Sequence, residues 1–160
     1  SIDAAKLEGF AVGTALAITL RQEGLAFSPS REPGQPIAIR VLSGVDHKDA
    51  WPIGYKPEKP TSRTAPVLME RLPVEVEGFT LAEAIDAIGP RLAVDDAPLP
   101  ILIDWFSVRS EGIDPAAKPV RVARTTMTYK QLVSTLAFQA RLNAKLRVDE
   151  AGRPLLWLTR

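Results

Sequence analysis

The sequence predicts an α+β fold: a small two-layer domain with two helices against small mixed sheets, preceded by a helix plus β-hairpin that partly copies it. Three observations carry this expectation. Stretches with helical apolar spacing alternate with short runs in which every second residue is apolar. Two of the helical stretches open with Thr and then Glu or Gln three residues on, Thr80–Glu83 and Thr128–Gln131, which is the capping-box pattern. Finally, "LEGFAVGTALAI" at 7–18 and "VEGFTLAEAIDAI" at 76–88 share Glu-Gly-Phe ahead of a helical pattern. A motif that recurs in one chain points to an internal repeat.

The first unit covers residues 1–43. Val12, Leu16 and Leu20 recur every four residues, with Ala15 and Thr19 beside them, and predict a helix over 10–23 buried through that face. Gly24 can take the left-handed position that ends a helix, and Leu25 can fold back onto the last turn. "LAFSP" and "PIAIRVLS", parted by Arg-Glu-Pro-Gly, predict a hairpin in which Ile37, Ile39 and Val41 alternate as in a half-buried strand.

Residues 44–71 form a proline-rich connection. Pro52, Pro57, Pro60 and Pro66 each remove a backbone donor and fix φ, which argues against any helix or central strand. Trp51, Ile53 and Tyr55 argue against a solvated tether. An ordered, extended connection is expected, with Trp51 largely buried.

The third stretch, 72–160, opens with a strand at 72–77 and a helix at 80–89 whose apolar stripe is Leu81, Ala84, Ile85 and Ile88. "PILIDW" then reads as a strand at 100–104 buried on both faces. A strand at 118–123, a helix at 128–141 and a hairpin of strands 145–149 and 154–159 complete the chain. The hairpin turns at Asp149–Gly152, where Asp and Gly suit the required dihedrals.

The order "VEVEGFTLAEAIDAI…PILID…KPVRVARTTMTYKQLVSTLAFQARLNAKLRV…PLLWLT" resembles the secretin and TonB short N-terminal domain, over about residues 72–160. Arg141 stands where that family usually ends its second helix with Gly, Pro90 interrupts the first helix, and "VDDAPLP" lengthens the route to the buried strand. The resemblance implies two helices held between small sheets and a protein–protein contact role at the bacterial cell envelope. It implies a periplasmic or secreted location, no catalysis and no cofactor.

Composition narrows the chemistry. Hydrophobic residues make up 46% of the chain and charged residues 24%, the balance of a globular protein. A net charge of +1 gives no global field to gather nucleic acid or acidic membranes. No run approaches the roughly 18 apolar residues of a membrane span. The absence of cysteine excludes disulfides and thiolate chemistry. The first residue is Ser rather than Met, which points to a processed or trimmed chain.

His47 is the single histidine, flanked by Asp46 and Asp49. Neighbours in a row do not converge on one ion, and no second His or Cys completes a zinc site. Ser107, Ser110 and Ser134 lack a recognisable base. Asp95, Asp96 and Asp104 invite a carboxylate-pair reading, with Trp105 as a sugar platform. The simpler reading is a turn at Asp95–Asp96 and a helix cap at Asp104. Arg121, Arg124, Lys130, Arg141, Lys145, Arg147 and Arg153 make the third unit basic, but acidic residues balance them, and a solvated surface is expected rather than a nucleic-acid site.

The function expected is therefore a non-enzymatic interaction module with a protein partner in the envelope, docking through a strand edge. The candidate surfaces are Ile37, Ile39 and Val41; Val120 and Val122; and Leu155 and Trp157. The alternative is a cell-wall glycan-binding or glycan-acting domain built on Trp105, Asp95, Asp96 and Asp104.

Overall fold

The computed structural model describes residues 3–117 and 119–160. A single tight turn at Ala4–Leu7 leads into helix α1 (Val12–Gln22) and a hairpin of β1 (Leu25–Ser30) and β2 (Ala38–Ser43). The connection holds a one-turn helix, α2 (Thr61–Thr64), and a tight turn at Pro66–Met69. Then come β3 (Arg71–Thr80), α3 (Leu81–Ile88), β4 (Ala93–Val94), β5 (Ala97–Pro98), β6 (Ile101–Ile103) and α4 (Trp105–Ser110). The chain closes with β7 (Pro119–Thr128), α5 (Tyr129–Gln139), β8 (Asn143–Val148) and β9 (Pro154–Thr159). The α+β class expected from the sequence is the class observed. The strand expected at 118–123 begins with a residue outside the described ones, and it runs on to Thr128.

Four sheets form. β1 pairs with β2, β3 with β7 and β4 with β5, all antiparallel, while the three-stranded sheet has the order β6-β9-β8. In that sheet β6 runs parallel to β9 and β8 antiparallel. α3 and α5 pack among β3, β7 and one face of the three-stranded sheet in the main core, with Leu81, Ile85, Leu132 and Leu136 against Ile101, Ile103, Leu156 and Leu158. The other face belongs to a second core, where Phe10 and Ile18 meet Leu102, Leu155 and Trp157. Alternate side chains leave a strand on opposite faces, so a run such as Leu155–Leu158 stays apolar throughout because both faces are covered.

The capped helices obey their local signals. Thr80 accepts from the Glu83 N–H while Glu83 reaches back to the Thr80 N–H, and Thr128 and Gln131 do the same. The repeated Glu-Gly-Phe motif is also a repeated geometry. Gly9 and Gly78 have φ of +80° and +78°, and each helix starts two residues after the Phe. Arg141 itself takes the left-handed position at the end of α5, with φ +62°. Its N–H bonds Phe138 O and the Leu142 N–H bonds Ala137 O, the two bonds of a Schellman ending.

Three expectations are corrected. The buried side of α1 is Thr14, Ala17, Ile18 and Gln22, not Val12, Leu16 and Leu20; Val12 is 82% exposed. At 3.6 residues per turn, a two-residue offset rotates the face by about 200°. Two polar residues go inside because partners meet them: Thr14 Oγ1 donates to Glu150 at 2.9 Å, and Gln22 donates to Ile18 O and accepts the Trp105 N–H. The proline-rich connection does contain a helical turn, since Pro60 sits just ahead of α2, where its missing N–H costs nothing. Trp51 is half-buried rather than largely buried, stacked on Phe27 at 5.7 Å between ring centres.

Candidate interaction surface

The β1–β2 hairpin stands apart from both cores. Its pairs Phe27↔Val41 and Pro29↔Ile39 place these four side chains on one face of the ribbon. Trp51 covers Phe27 on that face and anchors itself through Nε1 to Glu150 Oε1 at 2.6 Å. Past Phe27 no described residue covers the strand: Val41 and Ile39, and Ile37 just ahead of β2, are 55%, 59% and 69% exposed. This is the one candidate surface from the sequence whose side chains meet solvent. Among the described residues β2 is also an edge strand, paired only with β1.

The other two strand surfaces are corrected. β9 is the central strand of its sheet, hydrogen-bonded to β6 on one side and β8 on the other, so it offers no edge. Leu155 and Trp157 are buried in the second core against α1. Val120 and Val122 are buried in the main core. The outer edge of β7 is occupied beside them. Gln139 Oε1 accepts the Arg121 N–H at 2.8 Å and Gln139 Nε2 donates to Arg121 O at 2.7 Å, so the side-chain amide imitates a neighbouring strand. The outer edge of β8 is met at its end by Tyr55, which exchanges two backbone bonds with Val148 at 2.7 and 3.0 Å.

The carboxylates are dispersed to structural tasks. Asp104 is fully buried and N-caps α4. Arg21 grips it with Nη2 at 2.8 Å and Nε at 3.2 Å from both oxygens, and Ser107 and Thr159 donate hydroxyls at 2.7 and 2.8 Å. Burial works to raise the Asp104 pKa, but these donors together hold it below the ordinary carboxylate value. Such an acid stays ionised and has no lone pair to spare for substrate. Asp95 and Asp96 form the two-residue turn of β4–β5 with φ of +51° and +62°, conformations Asp tolerates. Asp95 lines a cleft with Tyr55, Glu58 and Glu150 that neither Asp104 nor Trp105 reaches. The four residues of the glycan alternative thus do not share one site. Glu111 pairs with Arg160, and Asp114 accepts the Ala116 N–H. Among the described residues no three His, Asp or Glu side chains gather as a metal set. His47 lies in its loop and bonds Ser43 O through Nε2 at 2.6 Å.

Of the basic residues, Arg153 lies over the Phe10 ring at 4.5 Å and donates to Glu8 O, while Arg121 faces Glu77 at 3.8 Å with both side chains exposed. Tyr129 is buried and Phe138 exposed, so these two aromatics do not form a common platform. A mainly apolar cleft of about 740 Å³ lies between residues 5–9 and the α3–β6 region, with Pro98 and Leu99 in its wall and the Lys6–Asp86 pair (3.6 Å) beside them. Sequence spacing gave no sign of it, because its two walls lie some eighty positions apart. No helix among the described residues is long and apolar enough to cross a membrane. Comparison with protein-family models, with curated proteins and with solved structures finds no match to this chain.

Proposed function

We propose that the chain is a non-enzymatic protein–protein interaction module of the bacterial cell envelope that docks a partner strand along β2. One observation carries this: an edge strand whose apolar residues Ile39 and Val41, with Ile37 just ahead of it, are more than half exposed. Unpaired N–H and C=O groups on such an edge bind an added strand, and a row of apolar side chains selects it. Two capped helices between a two-stranded and a three-stranded sheet support the resemblance to secretin and TonB short N-terminal domains, from which the envelope setting is taken. The commitment of Asp104 to Arg21 supports the absence of catalysis.

The test is capture from an envelope extract by immobilised chain and by its Ile39→Lys variant. A partner retained by the former and lost by the latter is expected. Identical capture by both would remove β2 as the docking edge. Turnover of a cell-wall glycan, abolished by Asp95→Asn or Asp96→Asn, would overturn the non-enzymatic role.

A further inference from the structure

We infer that β2 is a self-association strand: two copies of the chain join β2 to β2 about a two-fold axis at Ile39, merging two hairpins into one four-stranded sheet. This rests on the docking role proposed above and names the partner as a second copy.

The backbone of β2 shows which residues face the open edge. Phe27, opposite Val41, sends its carbonyl to the Trp51 N–H at 2.7 Å, away from β2. Phe27–Val41 is therefore a non-hydrogen-bonded pair, and the Val41 N–H and C=O point to the open side. Ile39, two residues back, shares that direction. Ser43 shares it too, and His47 Nε2 already occupies its carbonyl, which closes the edge at that end. Ile39 and Val41 thus combine outward backbone groups with exposed apolar side chains. Soluble proteins ordinarily blunt such an edge with charge or proline. Here Arg40, the one charge in β2, shares the opposite face with Ser28.

The segment is self-complementary in one register. With the axis on Ile39, Ile37 lies opposite the second copy's Val41, Ile39 opposite Ile39, and Arg40 opposite Ala38. Apolar residues meet apolar residues and no like charges face each other. An axis on Arg40 would oppose two guanidinium groups. An axis on Val41 would set Ile39 against Ser43, whose carbonyl His47 holds.

The chain contains no cysteine, so single cysteines report the register cleanly. Ile39→Cys places two Cα atoms about 5.5 Å apart, within reach of a disulfide. Arg40→Cys leaves its copies diagonal, at about 7–8 Å, beyond that reach. Sedimentation at high protein concentration is expected to give twice the 17.4 kDa chain mass. Ile39→Lys and, independently, Val41→Lys should return the monomer with unchanged circular dichroism, so misfolding of one variant leaves the other as the test. Ile39→Cys should yield about tenfold more disulfide dimer than Arg40→Cys. A monomer at every concentration, or equal cross-linking by the two cysteines, overturns the inference. A monomer that still captures an envelope protein through Ile39 overturns self-pairing and leaves the docking role standing.

Discussion

Asp149 caps α1 from 138 residues beyond the N-cap residue Ala11: its Oδ2 accepts the Ala11 backbone N–H at 2.8 Å. Its Oδ1 meanwhile accepts from the Ala151 and Arg153 N–H groups and shapes the β8–β9 turn. Ala11 has no side chain with which to cap α1, unlike Thr80 and Thr128 at the other two long helices. The next residue, Glu150, receives Thr14 and Trp51. One hairpin turn therefore joins the first helix, the proline-rich connection and the last sheet. Asp149→Ala removes both the cap and the turn bonds and should cost about 2 kcal/mol in chemical denaturation. Faster amide exchange at Ala11 should accompany it; an unchanged midpoint would show that water caps α1 equally well.

The Arg21–Asp104 pair sets an acid limit on stability. The folded pKa of Asp104 lies below its unfolded value, so its contribution is present above the unfolded value of about 3.9 and is lost as pH falls through the folded one. Asp104→Asn should cost about 3 kcal/mol at neutral pH, where Arg21 is left without its carboxylate. That difference from the native chain should shrink steadily below about pH 4. Denaturation curves at pH 7 and pH 3 test the sign, and a gap that widens in acid contradicts the pairing.

Truncation tests which faces of α5 and α1 are buried. Leu136 is fully buried in the main core, and Leu136→Ala should cost about 2–5 kcal/mol. Ile18→Ala should fall in the same range, because Ile18 seats α1 on Leu102 and Trp157. Val12→Ala should change stability by less than about 0.5 kcal/mol, as befits an exposed position. The reverse order for Ile18 and Val12 would restore the face read from apolar spacing.

Arg141 holds a left-handed backbone that costs an L-residue about 1–2 kcal/mol relative to glycine. Arg141→Gly relieves this but frees the unfolded chain, so a net gain of about 0.5 kcal/mol is expected. A loss instead would mean that the exposed Arg141 side chain makes a stabilising contact. A thermal melt of the two chains decides between these outcomes.

Local signals were legible wherever a short stretch of chain satisfies itself. Thr80–Glu83 and Thr128–Gln131 make reciprocal bonds within four residues, so their helices were readable to within two residues. The Asp95–Asp96 and Asp149–Gly152 turns rest on side chains that tolerate or stabilise their own dihedrals. The Ile101–Ile103 run in "PILIDW" announced a strand buried on both faces, though not that α1 supplies part of the second cover.

Hydrophobic period, caps and turns act over a few residues, and they made the α+β class, the order of α1, α3 and α5 with the strands beside them, and the apolar stripe Ile37–Ile39–Val41 legible in the sequence. Which strands keep an edge was set by assembly. β9 reads like any other strand until β6 arrives beside it from some fifty residues away, and Val120–Val122 looked open until Gln139 folded back on Arg121. The face of α1 was likewise decided at a distance. Thr14 and Gln22 are polar, and burying them is favourable only where Glu150 and the Trp105 N–H wait to bond them. Burial depends on the partners that three-dimensional folding supplies, and no spacing along the chain encodes those.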